Sequence, residues 1–158
     1  MTVEPVVGPG TPADAAVIAD LITKAFAVYR GRLDPEPSAL RETPATIAAA
    51  LALQRAAIAR LGDQPAGCVL YRPEGSDGFY LGRLAVLPAL QRRGIALALI
   101  AFVEAEARAA RAVSISLNVR IALTGNQQLF ATAGYREVAR HAHPGYSAPT
   151  FIEMRKRL

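Results

Sequence analysis

The chain has 158 residues, 52% of them hydrophobic, and this predicts one globular domain over residues 1–158 with an adequate core. The formal net charge is +5, but the arginines are scattered and no aromatic platform accompanies them, so we expect no nucleic-acid partner. The longest apolar stretch, Gly94 to Val103, is too short to span a bilayer, and Met1 to Pro12 has no long apolar run, so we expect neither a membrane partner nor a secretion signal.

The first part of the chain predicts a strand followed by two helices. Thr2 to Val7 is short and β-branched. Thr11-Pro12-Ala13-Asp14 has a threonine N-cap, a proline in the first turn and an acid three residues on, so a helix should begin there and end near Arg30-Gly31. The polar stretch Gly31 to Glu42 predicts a loop. Thr43-Pro44 then starts a second helix, which continues through Ile47 and Leu51.

Two strands are expected next, from about Gln54 to Leu61 and from Ala66 to Arg72. The first of these segments is rich in alanine, and a helix is an equal alternative for it. The second contains Cys68, which is the lone cysteine. A lone cysteine excludes an internal disulfide and suits a reducing cytoplasm, so we expect a cytoplasmic protein. Because Cys68 lies in an apolar run, it is better interpreted as a buried structural thiol than as a nucleophile.

The second half predicts a strand from Phe79 to Leu87 and a helix from Gly94 to Arg111. Ile95, Leu99, Phe102 and Val103 share the apolar face of this helix, whereas Glu104, Arg108 and Arg111 suit solvent. Val113 to Val119 alternates apolar with polar residues, as a half-buried strand does. The chain then predicts a short helix from about Asn126 to Gly134 and two strands, Tyr135 to His141 and Thr150 to Lys156. This order indicates an α/β fold on a mixed sheet.

The stretch Gln91-Arg92-Arg93-Gly94-Ile95-Ala96 lies where a strand turns into a helix N-terminus. Such a terminus exposes unpaired backbone N–H groups and the positive end of the helix dipole, which together bind phosphate. Gly94 and the small Ala96 allow a ligand to approach the backbone, and two arginines add positive charge. The Walker and dinucleotide glycine patterns are both absent, so this is a phosphate site of another kind.

The six residues resemble the Gln/Arg-x-x-Gly-x-Gly/Ala signature of the GNAT N-acetyltransferases. Their context is similar too, because Arg83-Leu84-Ala85-Val86-Leu87-Pro88 resembles the family's fourth strand and Leu129 to Tyr135 resembles its helix ending in Gly-Phe/Tyr. The resemblance covers about Thr11 to Leu158. It implies a mixed, mostly antiparallel central sheet flanked by helices, whose fourth and fifth strands, here Phe79 to Leu87 and Val113 to Val119, splay apart around the pantetheine arm.

The resemblance also implies acetyl-CoA as cosubstrate and direct attack of an amine on its thioester. The backbone of the fourth strand holds the pantetheine and acetyl groups in the family, and the six-residue signature holds the pyrophosphate. The cofactor-binding residues carried over in this way are Leu84, Ala85, Val86, Gln91, Arg92, Arg93, Gly94, Ile95 and Ala96.

The chain departs from the family at two positions. Many members have a tyrosine near the CoA sulphur, and the matching residue is Phe130, which has no proton to transfer. The asparagine usually found seven residues earlier is replaced by Leu123. Asn126 is the nearest candidate for contact with the cofactor, although an N-cap role explains it equally well.

The acceptor side is less specific. His141-Ala142-His143-Pro144-Gly145-Tyr146 lies between the last two strands, a connection that borders the acceptor site in the family. His143 is our candidate general base and Tyr146 an acid or positioning group, with a structural loop as an equal alternative. His141 on the same face, and Tyr29 and Arg32 after the first helix, are candidate substrate contacts. Two histidines without cysteine or carboxylate neighbours are a weak metal signal, so no metal is expected.

The expected function is therefore N-acetylation of a primary amine, with a small metabolite or drug-like amine favoured. A protein or peptide acetyltransferase and a non-catalytic acyl-CoA sensor are the alternatives. The sequence leaves open the identity of the amine and whether the chain forms a homodimer, because acceptor pockets are built from variable loops.

Overall fold

The structure is a computed structural model that describes residues 3–158. Within that range the strands are β1 Val6–Pro9, β2 Arg55–Leu61, β3 Gln64–Glu74, β4 Gly78–Val86, β5 Ser114–Arg120, β6 Arg136–His141 and β7 Phe151–Arg157. They form one seven-stranded sheet in the order β1-β2-β3-β4-β5-β7-β6. The helices are α1 Ala15–Phe26, α2 Pro44–Ala50, α3 Ile95–Ala109 and α4 Thr124–Thr132.

The pairing of the strands confirms the predicted mixed, mostly antiparallel sheet. β1 with β2, β2 with β3, β5 with β7 and β6 with β7 are antiparallel, whereas β4 and β5 are parallel. The parallel pairing joins Gly78–Tyr80 to Ser114–Ser116, the first three residues of each strand. Pairing confined to the start of two parallel strands is what strands that splay apart would show.

The predicted helix starts are confirmed by their caps. The Thr11 backbone N–H donates to Asp14 Oδ2 at 2.8 Å, and a 3₁₀ turn, Pro12–Asp14, leads into α1. At α2, the Thr46 backbone N–H donates to Thr43 Oγ1 at 3.2 Å and the Thr43 N–H donates to Thr46 Oγ1 at 2.8 Å. These reciprocal bonds satisfy donors that a helix N-terminus leaves unpaired. The first strand is displaced from its prediction, because Val6–Pro9 pairs with β2. The predicted start of that strand, Thr2, lies outside the described residues.

The chain forms two compact units. The first extends to Arg72 and includes Arg83–Val103, and the second comprises Pro73–Gly82 and Glu104–Leu158. β4 therefore contributes residues to both, and the expectation of a single domain stays a prediction. In the part of the chain that the structure describes, no helix has the length and apolar character needed to cross a membrane.

The core of the first unit packs α1 and α2 against strand residues. It contains Ile18, Ile22, Ile47, Ile58, Leu70 and Ala85. Cys68 belongs to this core with 0% exposure, and burial raises the pKa of its thiol to about 12. The expected buried thiol is confirmed, since a thiol with such a pKa is not a nucleophile near neutral pH.

The second unit corrects two predictions about side-chain exposure. Glu104 is 7% exposed rather than solvated, because the partly buried Lys156 and the buried Tyr135 supply partners for its carboxylate. β5 does not alternate as a half-buried strand does, because Ile115, Ser116 and Leu117 are buried in succession. Ser116 tolerates burial because its hydroxyl donates to Glu74 Oε1 at 2.8 Å.

Candidate active site

The end of β4 supplies the first group of predicted cofactor residues. Ala85 is 3% exposed and belongs to the core of the first unit, whereas Leu84 and Val86 are partly buried. The side chains are therefore largely structural, and the cofactor role expected of the backbone of these residues stays a prediction.

Gly67 of β3 is a glycine that the sequence analysis missed. A Cβ at Gly67 would lie 2.7 Å from the Ala85 carbonyl oxygen and 3.2 Å from Ile95 Cγ2. A separation under 3.0 Å from backbone is too short for any side chain, so only glycine permits this approach of β3 to β4. A lone glycine within a predicted strand is the signal that could have indicated it.

The loop from Gln91 to Gly94 lies between a 3₁₀ turn, Pro88–Leu90, and the start of α3. Arg92 and Gly94 have positive φ values of 64° and 77°. The Ala98 N–H donates to the Gly94 carbonyl oxygen at 3.0 Å, so the N–H groups of Ile95, Ala96 and Leu97 precede this bond. These are the donors that a helix start leaves without an intrahelical partner.

This loop fits a phosphate group. Gln91, Arg92, Arg93 and Gly94 are all exposed, and a Cβ at Gly94 would meet no atom within 4 Å. Open space above a helix N-terminus, flanked by two arginines, combines hydrogen-bond donors with positive charge. Ile95 is 1% exposed and anchors the first turn of α3 in the core.

α4 contains two further predicted cofactor residues, Phe130 and Asn126. Phe130 is 6% exposed and packs edge-on against Tyr135, with ring centroids 6.1 Å apart. α4 begins at Thr124 with Leu123 at the N-cap position. The N-cap interpretation of Asn126 is therefore wrong, because the helix starts two residues earlier, and its contact with the cofactor stays a prediction.

The second unit brings together three of the predicted acceptor-side residues, His141, His143 and Tyr146, and both histidine rings contact Phe151. His141 stacks on the Phe151 ring with centroids 5.2 Å apart, and His143 meets that ring edge-on at 4.9 Å. Tyr146 lies 6.3 Å from His143 by ring centroid, and its backbone N–H donates to the His143 carbonyl oxygen at 3.0 Å. His141 Nε2 lies 3.1 Å from Glu153 Oε1.

His143 has a fixed ring and a perturbed pKa. Its backbone N–H donates to Thr150 Oγ1 at 3.0 Å, and its Nδ1 forms a further hydrogen bond with the same hydroxyl. Burial lowers the pKa of the imidazole below 6.5, and the nearby Arg120 cation lowers it further. His143 is therefore mostly neutral at pH 7, which is the form that accepts a proton. Thr150 is a further residue that the sequence analysis missed, since nothing in its local pattern distinguishes it from any other threonine.

Tyr29 and Arg32 are joined by a turn at the end of the first helical segment. The Arg32 N–H donates to the Tyr29 carbonyl oxygen at 2.9 Å. Tyr29 is partly buried and packs edge-on against Phe26 at 5.8 Å, whereas Arg32 is exposed. Their role as substrate contacts stays a prediction.

A comparison with models of protein families identifies the family. The family model described as the acetyltransferase (GNAT) family matches residues 20–135. The chain belongs to the GNAT acetyltransferase family. The resemblance inferred from the Gln91–Ala96 signature is thereby confirmed, and acetyl-CoA is the cosubstrate of this family. No curated protein sequence matches the chain.

Solved GNAT structures share the fold over almost the whole chain. A GCN5-related N-acetyltransferase from Rhodopseudomonas palustris is 24% identical, with a TM-score of 0.77 and coverage of 100% of this chain and 99% of that one. The ribosomal-protein-S18-alanine N-acetyltransferase from Escherichia coli is 17% identical, with a TM-score of 0.76 and coverage of 97% and 93%. A family member from Elizabethkingia anophelis with acetyl-CoA bound is 17% identical, with a TM-score of 0.73 and coverage of 99% and 100%.

Among the described residues, no group of three histidine, cysteine, aspartate or glutamate side chains is arranged to hold a metal ion.

Proposed function

We propose that this GNAT domain is an acetyl-CoA-dependent N-acetyltransferase that transfers the acetyl group directly to a primary amine on a small molecule. The observation that carries the proposal is the loop Gln91–Gly94, which has open space above Gly94 and lies at the N-terminus of α3. Within a chain of this family, such a site suits the pyrophosphate of acetyl-CoA. The lone buried Cys68 supports a cytoplasmic location as part of the same proposal.

In this proposal the protein positions the two reactants and removes one proton. The backbone of Leu84–Val86 orients the acetyl group and provides hydrogen bonds as negative charge develops on its oxygen. Alkylamines resemble lysine, with a pKa of about 10.4, so most of the acceptor arrives protonated at neutral pH. His143, which is held by Thr150 and has a lowered pKa, serves as the base, and Tyr146 positions the acceptor.

The departing thiolate needs no dedicated acid. A thiolate whose conjugate thiol has an ordinary pKa, about 8.5, leaves readily without being protonated. The lack of a proton on Phe130 is therefore no obstacle to the reaction. The N-acetylation reaction therefore depends on the base near the amine rather than on a residue at position 130.

Phe130 also supports a second candidate, a non-catalytic acyl-CoA sensor, because its side chain has no proton to give to a departing thiolate. A thiol-release assay with acetyl-CoA over a panel of small amines and peptides separates the two functions. Release of CoA with a small amine supports the proposal, and release with peptides alone assigns the chain to peptide acetylation. Binding of acetyl-CoA without turnover of any acceptor supports the sensor.

A further inference from the structure

Arg83 has a backbone conformation that is unusual for a residue within a strand. It lies in β4 and has a φ of 52°, in the left-handed region that L-residues other than glycine rarely adopt. Such a residue persists only where its surroundings hold it, and positions of this kind concentrate at functional sites. Leu84–Val86, the backbone proposed to hold the acetyl group, follows Arg83 immediately.

The side chain of Arg83 is held at two of its nitrogens. Nε donates to Glu42 Oε2 at 2.8 Å, and Nη2 donates to Ser38 Oγ at 3.0 Å. The ion pair is mostly covered, because the Arg83 side chain is 32% exposed and that of Glu42 is 14% exposed. Charge-assisted hydrogen bonds of this kind are about twice as strong as neutral ones.

Glu42 is itself fixed by the cap of α2. Its Oε1 accepts a hydrogen bond from Thr46 Oγ1 at 2.7 Å, and the same hydroxyl accepts the Thr43 backbone N–H at 2.8 Å. The Glu42 backbone N–H donates to the Ala39 carbonyl oxygen at 3.3 Å. The guanidinium of Arg83 is therefore bound to a carboxylate whose own position is determined by a helix start.

We propose that Arg83 is a positioning residue: Glu42 and Ser38 hold its guanidinium and thereby keep residue 83 in the left-handed conformation that directs the Leu84–Val86 backbone. This inference rests on the proposed function, in which that backbone holds the acetyl end of acetyl-CoA. Arg83 acts through the strand and does not touch the reacting atoms.

Replacement by alanine and by glycine separates this role from ordinary structural support. Both Arg83→Ala and Arg83→Gly remove the ion pair, but only glycine adopts a positive φ without strain. We expect calorimetry to show acetyl-CoA binding about tenfold weaker in Arg83→Ala, and no more than about threefold weaker in Arg83→Gly. Glu42→Gln, which weakens the hold but keeps the arginine, should lie between wild type and Arg83→Ala.

Arg60→Ala is the matched control. Arg60 pairs with Asp14 at 3.9 Å, with side chains 37% and 25% exposed, and belongs to the same unit as Arg83. Acetyl-CoA affinity should be unchanged in this variant. Circular dichroism verifies that each variant is folded before its affinity is compared.

The order of acetyl-CoA affinity in the two Arg83 variants tests the inference. If Arg83 only links β4 to the Ser38–Glu42 segment, Arg83→Ala should bind acetyl-CoA as tightly as Arg83→Gly or more tightly, because glycine normally weakens a strand. Equal or tighter binding by Arg83→Ala therefore overturns the proposal. If wild type fails to bind acetyl-CoA, the proposed function has failed instead. The thermal midpoints then decide the role of Arg83, since a higher midpoint in Arg83→Gly than in Arg83→Ala supports it and the reverse order refutes it.

Discussion

At the scale of single residues, the tautomer of His143 determines whether it can act as a base. Thr150 Oγ1 accepts the His143 backbone N–H and also bonds to Nδ1 of its ring. When Nδ1–H donates to this hydroxyl, the lone pair on Nε2 is available for a proton from the acceptor amine. In the opposite arrangement the hydroxyl donates to Nδ1 and the ring proton lies on Nε2. Nε2 then has no lone pair with which to accept a proton from the amine. A base role for His143 therefore requires Thr150 to act as an acceptor twice.

The pH dependence of activity tests this base. Because the folded-state pKa of His143 is lowered, kcat/KM should rise with pH through a midpoint below 6.5 and level off at neutral pH. His143→Ala should remove this rise and lower turnover by about 10²–10⁴-fold. Arg120→Gln should move the midpoint upward, because the Arg120 cation no longer opposes protonation of the ring.

Two variants serve as controls for this profile. Arg140→Gln changes an exposed arginine paired with Glu137 and should leave the midpoint in place. Phe130→Tyr should change turnover little, because departure of the thiolate needs no acid. If His143→Ala retains both its turnover and its pH profile, the base lies elsewhere.

Gly94 tests the space proposed for the pyrophosphate. Gly94→Trp should abolish acetyl-CoA binding in calorimetry while circular dichroism shows the fold retained, because the indole would fill the open space above the loop. Part of any effect comes from strain, since Gly94 has a φ of 77°.

Gly62→Trp separates strain from obstruction. Gly62 lies in the turn between β2 and β3, has a φ of 59° and likewise has no atom within 4 Å of a built Cβ. The Gly62→Trp variant should have the same backbone strain as Gly94→Trp, yet bind acetyl-CoA with the affinity of wild type. Equal binding by a folded Gly94→Trp variant and wild type would show that the loop is not the phosphate site.

At the scale of elements, α3 has a left-handed arginine just before its first turn and another just after its last. Arg92 has a φ of 64° and Arg111 a φ of 63°, and both side chains are exposed. Only Arg92 lies at the positive end of the helix dipole, where an anion would bind. The two positions therefore share local geometry but differ in their expected electrostatic role.

The salt dependence of the acetyl-CoA KM tests the charge of this terminus. Arg92→Glu or Arg93→Glu should raise KM, and the increase should be larger at low salt than at 1 M salt, where the screening length is only about 3 Å. Arg111→Glu makes the same change of charge at the far end of α3 and should have little effect. A KM that responds neither to these substitutions nor to salt would mean that both arginines are only solvated.

The elements that could be predicted are those whose signals are local. Thr11 and Thr43 mark helix starts within four residues, and the Gln91–Ala96 motif marks the strand-to-helix turn. Two ion pairs could not be predicted because their partners are distant in the chain. Arg83 and Glu42 are 41 residues apart, and Glu104 and Lys156 are 52 apart. Neither burial nor pairing of these charges can be derived from helical or strand periodicity, because the partner lies outside any local window.

At the scale of the whole molecule, each compact unit contains a largely covered ion pair that joins separate elements. Arg83 and Glu42 form the pair of the first unit, and Glu104 and Lys156 form that of the second. In the second unit the Lys156 ammonium donates to both Glu104 oxygens, at 3.0 and 3.1 Å, and to the Ala133 carbonyl oxygen at 2.8 Å. Tyr135 donates its hydroxyl to Glu104 Oε2 at 3.1 Å, and burial together with the Glu104 charge raises the pKa of this phenol. The network thus joins α3, β7 and the turn after α4.

Loss of one member of this network should destabilise the fold more than loss of a surface pair. Lys156→Met leaves the Glu104 carboxylate, 9% exposed, with only the exposed Arg108 guanidinium, 4.0 Å away, as a cationic partner, and should lower the free energy of unfolding in urea by about 2–3 kcal/mol. This is below the ~3–5 kcal/mol expected for a fully buried pair, because the Lys156 side chain is 24% exposed. The double variant Glu104→Gln/Lys156→Met should recover part of the loss, since no buried carboxylate is then left without the lysine, and Arg108 is exposed to solvent. Arg140→Met, which breaks the exposed Arg140–Glu137 pair, should change stability little. If Lys156→Met is no more destabilising than Arg140→Met, the Glu104–Lys156 pair contributes no more to the stability of the fold than an exposed surface pair does.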